Sequence, residues 1–376
     1  MTLRATIEDP GLMAFVAAPR RGAFASLGAR VARLAELVTT PVVPSDYLDM
    51  LSPLRASADL RGRIEEIHPE TRDAATLVIR PGKGWRGHAP GQYVRIGVDV
   101  DGVRQWRAYS LTSRTGRADG RISVTVKAMP DGTVSNYLVR RARTGTLIQL
   151  DQATGDFTLP SPRPRKALFL TAGSGITPVM GMLRNAVDEL ADVVVVHSAP
   201  RSHDVIFADE LRHLATSGRI RLVERHTDVD GMLDFGQLGG IVADWTERET
   251  WACGPTGLLD AADQRWSDAG VADRLHTERF RPTVIVTGEG GQVTFSQTGT
   301  TVDADGSTAL LDTGERAGVL MPSGCRMGIC FGCVSPLRSG AVRDLRNGEV
   351  TTAVPGDGVL IQTCVSAAAG ACDIER

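Results

Sequence analysis

The chain lacks any apolar run approaching the roughly 18 residues that a membrane-spanning helix requires; Val193 to Val196 suits only a buried strand. It also lacks an excess of either charge. With 42 Lys and Arg against 44 Asp and Glu, its net charge of −2 argues against a nucleic-acid binder held by a basic face. No secretory signal stands at the start, and the cysteines concentrate in one loop instead of being spaced as a disulfide framework. A cytosolic protein is expected, with any membrane association peripheral. Its 376 residues exceed one ordinary core and suggest two to four domains at about 100–200 residues each.

Paired C-x2-4-C knuckles, the mark of a zinc ribbon, are missing too. Cys325, Cys330 and Cys333 cluster as C-x4-C-x2-C and Cys364 is remote, the spacing of a plant-type 2Fe-2S cluster. Such a centre carries one electron at a time and does no bond chemistry, so something must load it and something must be served by it. Three thiolates have to converge on two irons from the short coil Ser323 to Cys333. Gly324, Gly328 and Gly332 are expected to take positive φ there and bring amides towards the sulfurs. The apolar run Gly358 to Gln362 reads as a strand that delivers Cys364 from the other side. From Thr283 onward six Lys and Arg face ten Asp and Glu, which favours docking of an acidic unit on a mildly basic remainder, unless these charges are simply solvated.

Four regions follow one another: 1–58, an N-terminal helical extension; 59–160, a β-barrel; 161–282, an α/β domain; and 283–376, the cluster domain. In the first, Phe24, Leu27, Val31, Leu34, Leu37 and Val38 fall at helical spacing. That stripe either docks on a membrane surface or partner or, more commonly, packs on its own protein. The second holds short β segments at Leu60–Ile67, Ala75–Arg80, Gln92–Val98, Val103–Leu111, Arg121–Ala128 and Leu147–Asp151, a small antiparallel barrel. Then strands and helices alternate. Strands at Lys166–Thr171, Val193–His197, Ile220–Glu224, Thr250–Cys253 and Arg274–Phe280, with helices at Pro178–Leu190, His203–Ala215 and Pro255–Ala269, predict a doubly wound, mostly parallel sheet.

Residues 283 to 376 resemble plant-type ferredoxins, with Arg326 and Gly328 where that family's loop has them, and a β-grasp fold is implied. Arg107-Ala108-Tyr109-Ser110, at the end of a barrel strand, resembles the flavin-binding signature of the ferredoxin reductase superfamily. Tyr109 then offers a face to the isoalloxazine, Ser110 a hydroxyl near the flavin N5, and Arg107 a charge for the pyrophosphate. Pro90-Gly91-Gln92-Tyr93 and Gly132-Thr133-Val134-Ser135 stand in the family's order. The second is similar to its phosphate-binding turn, which aims Ser135 and backbone amides at the diphosphate. The resemblance implies FAD rather than FMN.

Gly173-Ser174-Gly175-Ile176-Thr177-Pro178 follows the first parallel strand, at the carboxyl edge where ligands bind. Its glycines permit close approach to a diphosphate, Thr177 can cap the helix, and Pro178 suits the first turn. This is not the G-x-G-x-x-G of a dinucleotide-binding Rossmann fold. It resembles the nicotinamide site of ferredoxin reductases, as does Cys253-Gly254-Pro255, which would put Cys253 near the hydride-donating carbon; the plain alternative is a small buried hydrophobe. Glu278-Arg279-Phe280 resembles the family's terminal segment, with Phe280 covering the flavin and Glu278 handling a proton, although an aromatic at a strand end is core by default. No acidic residue ends the second strand to take a ribose diol. Arg201 and Arg225, just beyond the second and third strands, favour NADPH over NADH.

Flavin barrel, nucleotide domain and ferredoxin in this order resemble the one-chain reductases that feed oxygenases and desaturases. With its N-terminal extension the chain is most similar to actinobacterial reductases serving membrane stearoyl-CoA desaturases. The resemblance implies a monomer that passes a hydride pair from NAD(P)H through FAD and the 2Fe-2S cluster, one electron at a time, to a terminal desaturase or oxygenase. A soluble Rieske or P450 oxygenase is the alternative acceptor. A non-catalytic redox sensor is the alternative of another class, and a complete nicotinamide site weighs against it.

Overall fold

The computed structural model describes residues 52–55, 59–100, 102–130, 132–280, 286–324, 326–328 and 331–376. The stripe Phe24 to Val38, the boundaries expected at 58 and 282, and the ligands Cys325 and Cys330 lie outside the described residues. The chain divides into two compact units, Met1–Pro53 and Leu54–Arg376, and the second carries three sheets.

The first sheet contains β1 (Arg61–Thr71), β2 (Ala74–Pro81), β3 (Tyr93–Val100), β4 (Val103–Ser110), β5 (Ile122–Lys127) and β6 (Leu147–Leu150), in the order β4-β3-β6-β1-β2-β5. All its pairings are antiparallel. A bridge between Leu111 and Val124, and a 2.8 Å bond from the Thr112 amide to the Ser123 carbonyl, curl the edges β4 and β5 together. Apolar residues such as Ile64, Leu77, Ile79, Val94, Ile96 and Val124 fill the interior, so removing their surface from water closes the barrel.

The second sheet, β11-β10-β7-β8-β9, is parallel throughout and comprises β7 (Lys166–Ala172), β8 (Asp192–Ala199), β9 (Arg221–His226), β10 (Glu249–Cys253) and β11 (Leu275–Glu278). Its central strands β7, β8 and β10 are largely apolar on both sides because both are covered. Phe169, Val195 and Trp251 pack with Val179, Met180 and Leu183, while Leu168, Leu170, Val194 and Val196 pack with Trp245, Leu259 and Trp266. The helix expected at Pro178–Leu190 spans Ile176–Ala186. The one expected from His203 begins only at Ala208, because Phe207 takes a left-handed φ of 62° that interrupts helical progress. The last strand stops at Glu278 rather than Phe280. Arg279 turns aside to Asp260 at 2.8 Å and Asp263 at 2.6 Å, both on the helix Thr256–Asp268.

The barrel and the parallel sheet are joined through the helix Ile176–Ala186. Arg184 donates to the Thr112 carbonyl at 2.7 Å, and the Asn185 amide exchanges bonds with Ser113 and Thr115 at 3.1 and 2.8 Å. The third sheet is mixed, in the order β13-β12-β17-β14-β15 with β16 paired to β14. It comprises β12 (Gly291–Phe295), β13 (Thr300–Ala304), β14 (Val334–Asp344), β15 (Val350–Ala353), β16 (Leu360–Gln362) and β17 (Ser366–Ile374), a β-grasp arrangement around the helix Leu310–Arg316. Among the described residues no helix is long and apolar enough to cross a membrane.

Candidate functional site

At the carboxyl edge of the parallel sheet, strand register aligns Glu278, Cys253, Thr171, His197 and Glu224 in one row across β11, β10, β7, β8 and β9. Parallel register puts such residues on the same face. Cys253 is fully buried, and burial together with the charge of Glu278 pushes its thiol well above the ordinary range. Burial lifts the Glu278 carboxyl to about 8, so at neutral pH it carries a proton, and its Oε2 has no hydrogen-bond partner. His197 is held neutral by burial, its pKa falling to about 4, and its Nδ1 lies 2.8 Å from Thr171 Oγ1.

The two turns expected to receive the nicotinamide nucleotide meet here. A Cβ on Gly175 would come within 2.0 Å of the Cys253 carbonyl oxygen, so only glycine lets the turn 173–175 press on the Cys253–Gly254 backbone. Gly173 has φ 55°. Thr177 does not cap the helix as expected. The helix starts at Ile176, which puts Thr177 inside its first turn, where its hydroxyl donates to the Ser174 carbonyl at 2.9 Å; Pro178 follows it, buried. Pro255, exposed, precedes the helix Thr256–Asp268. Arg201 is exposed beyond β8, 3.5 Å from Asp228, and Arg225 lies in β9 with a bond to the Asp230 carbonyl. Phe280 is partly exposed, at 38%.

On the barrel, Arg107, Ala108, Tyr109 and Ser110 close strand β4, paired with Ile96, Arg95, Val94 and Tyr93 of β3. Ser110 is buried and its hydroxyl has no partner, as suits a group reserved for a bound flavin. Burial raises the Tyr109 phenol above its ordinary range. Arg107 donates to the Trp106 carbonyl at 2.8 Å, and burial, with Arg326 of the cluster loop adding to it, lowers its guanidinium to about 10. In the turn after β5, Gly132 and Thr133 lead into a short helix and Val134 is barrel core. The Ser135 hydroxyl, expected to face a diphosphate, has local partners. Its Oγ accepts from the Met129 amide and donates to the Gly132 carbonyl, both at 3.1 Å, so it braces the turn from within.

In the third sheet Cys333 and Cys364 are both buried, and their Sγ atoms stand 3.1 Å apart at the β14–β16 junction. Two thiols brought together from different strands fit two ligands of a shared cluster. Of the loop glycines expected at positive φ, Gly328 takes it, at 76°; Arg326 and Phe331 adopt it too, at 59° and 55°. Arg326 reaches back to Asp312 at 2.6 Å and to Glu315.

Family models match residues 63–159 as an oxidoreductase FAD-binding domain, 169–264 as an oxidoreductase NAD-binding domain and 293–369 as a 2Fe-2S iron-sulfur cluster binding domain. An NADPH oxidoreductase of Mycobacterium tuberculosis is 47% identical over 100% of this chain and 98% of its own length. The chain belongs to the ferredoxin reductase superfamily, with a C-terminal 2Fe-2S domain. It is an NAD(P)H oxidoreductase that uses FAD and a 2Fe-2S cluster. This reductase is also 30% identical to the glycine betaine monooxygenase reductase subunit of Pseudomonas aeruginosa, over 73% of the chain and 84% of that protein. With the ferredoxin reductase component of 3-ketosteroid-9-alpha-monooxygenase from Mycolicibacterium smegmatis the identity is 31%, over 74% and 86%. The solved structure of phthalate dioxygenase reductase shares the fold, with a TM-score of 0.58 at 22% identity over 84% of this chain and 97% of that one.

Several residues of the reductase carried no sequence signal. Arg346 and Gln362 both donate to the Gly328 carbonyl, at 3.2 and 2.9 Å, and Arg346 also faces the Cys333 and Cys364 sulfurs. They stand 18 and 34 positions from Gly328, so no local motif contains them. Thr171 and His197 read as ordinary strand positions until the parallel register aligned them with Cys253.

Proposed function

We propose that this reductase draws a hydride from NADPH and supplies single electrons to a separate terminal monooxygenase or desaturase. The observation that carries the reading is Arg107, whose strand forms the flavin site while Arg326 of the cluster loop lies within its electrostatic reach. FAD held along Arg107 to Ser110 would supply two-electron acceptance, and a 2Fe-2S cluster held by Cys325, Cys330, Cys333 and Cys364 would supply one-electron release. The chain's own residues do the rest. The backbone at Gly175 and Gly254 receives the nucleotide, Cys253 packs beside the nicotinamide, and Ser110 offers its free hydroxyl to the flavin. Glu278 holds a proton at its carboxyl next to the site, and Phe280 shields the ring when the nucleotide is away. Arg201 selects the 2′-phosphate. A monooxygenase acceptor is favoured by the relatives at 30% and 31% identity, whose names place them in such systems. Desaturase service rests on resemblance of the whole chain, extension included.

The test is anaerobic titration with NADPH, which is expected to bleach flavin and cluster bands together. Cys330→Ser is expected to retain ferricyanide reduction and lose reduction of cytochrome c. A variant that still reduces cytochrome c would sink the relay.

A further inference from the structure

We propose that Phe331 is the anchor on which a separate one-electron protein acceptor docks, a proposal that rests on the reductase reading above. The cluster loop has two ends with different neighbours. At its start, Arg326 is held by Asp312 and Glu315 and stands within electrostatic reach of Arg107, so this end faces the flavin strand. At its other end Phe331, which lies in sequence between Cys330 and Cys333, is 68% exposed.

Folding alone does not account for that placement. An exposed ring of this size forgoes the burial that would stabilise it. Its backbone is also left-handed at φ 55°, a region bulky side chains avoid, although a glycine stands one position later at Gly332. A strained, exposed aromatic beside a redox centre has the character of an interface anchor, since hot spots are enriched in large aromatic side chains set in a polar surround.

The net charge of the whole domain indicates the partner's chemistry. From Thr283 onward the domain carries ten acidic side chains against six basic ones. Pairing of Arg326, Arg343 and Arg346 with Asp312, Glu289 and Asp344 removes charges of both signs alike and leaves the acidic excess in place. The acceptor that fits presents an apolar hollow ringed by basic side chains over its own redox group. Docked on Phe331, it meets the cluster loop at the end that is distant in sequence from Arg326, the residue within electrostatic reach of the flavin strand.

Cytochrome c, a basic one-electron haem protein, serves as the probe with the holo-reductase. Phe331→Glu is expected to raise both the Kd for oxidised cytochrome c at low salt and the KM for its reduction by about tenfold. Its ferricyanide rate and cluster EPR signal are expected to match the wild type. Leu360→Glu is the control: Leu360 is 64% exposed but pairs with Pro336, at the end of β16 remote from Cys364, and its Kd should not move. An unchanged Kd in Phe331→Glu, or an equal loss in Leu360→Glu, overturns the proposal. If Phe331→Glu loses the cluster signal, Phe331→Ala is judged by the same two constants. Failure of the underlying reading looks different: the wild type would then reduce ferricyanide but not cytochrome c.

Discussion

Arg346 and Gly328 are fastened to each other beneath the cluster loop: Arg346 Nη1 donates to the Gly328 carbonyl at 3.2 Å, and a Cβ on Gly328 would stand 2.3 Å from that same nitrogen. The guanidinium is itself steadied by Asp344 at 2.6 Å and Gln362 at 3.2 Å. It therefore brings a fixed positive charge to the side of Cys333 and Cys364. Positive charge near thiolate ligands favours the reduced, more negative cluster. Arg346→Gln is expected to shift the cluster potential to more negative values, with Arg346→Lys falling between the two. EPR-monitored redox titration reads this directly, and equal potentials would remove Arg346 from the account.

Gly175 sets the spacing between two loops that are far apart in sequence. In Gly175→Ala the new methyl has backbone in its way, at 2.0 Å from the Cys253 carbonyl, and backbone cannot swing aside as a side chain would. A loss of about 1–3 kcal/mol in stability is expected from the overpacking. kcat/KM for NADPH should fall at least about tenfold while flavin and cluster absorbance persist, as stopped-flow measurement of flavin reduction would show.

Glu278 predicts a pH dependence whose sign follows from its burial. Its carboxyl is raised from 4.5 to about 8 with no ion-pair partner, so the protonated form dominates at neutral pH and is lost as pH rises through about 8. Flavin reduction by NADPH should slow across that upper range, and Glu278→Gln should flatten the profile. Stability follows the same sign. The contribution of this group is fully present below 4.5 and declines as pH climbs to about 8, so thermal melts of Glu278→Gln should be less sensitive to pH over that window.

Arg201 stands exposed just beyond β8, with Asp228 3.5 Å away. Replacing it with alanine is expected to raise the KM for NADPH about tenfold and leave that for NADH nearly unchanged, since a 2′-phosphate gains from the guanidinium and a 2′-hydroxyl does not. Parallel losses for the two nucleotides would count against it.

Much of this molecule could be read from near neighbours along the chain. Alternating and continuous apolar runs gave the six barrel strands and the five parallel ones to within a few residues, because period and burial are local properties. The clustered Cys325, Cys330 and Cys333, the run Arg107 to Ser110, and the turns at Gly173 and Cys253 lie within short stretches, and they marked the cluster, the flavin strand and the nucleotide edge. Where a side chain had a competing local use the sequence did not show it. Ser135 bonds its own turn, Thr177 bonds the carbonyl of Ser174, and Phe207 interrupts the helix expected from His203.

Sequence by itself thus determined the order of the domains and the identity of the groups they hold, since each is written in contiguous residues. Only the tertiary structure decided which of those residues act together. Parallel strands have no connecting turn to set their register; crossover helices and the packing of both faces set it, and that is what places Glu278 opposite Cys253 and Thr171 beside His197. The same holds for Arg346 at Gly328 and for Arg326 near Arg107. Both pairings relate segments that meet only once the hydrophobic cores have closed.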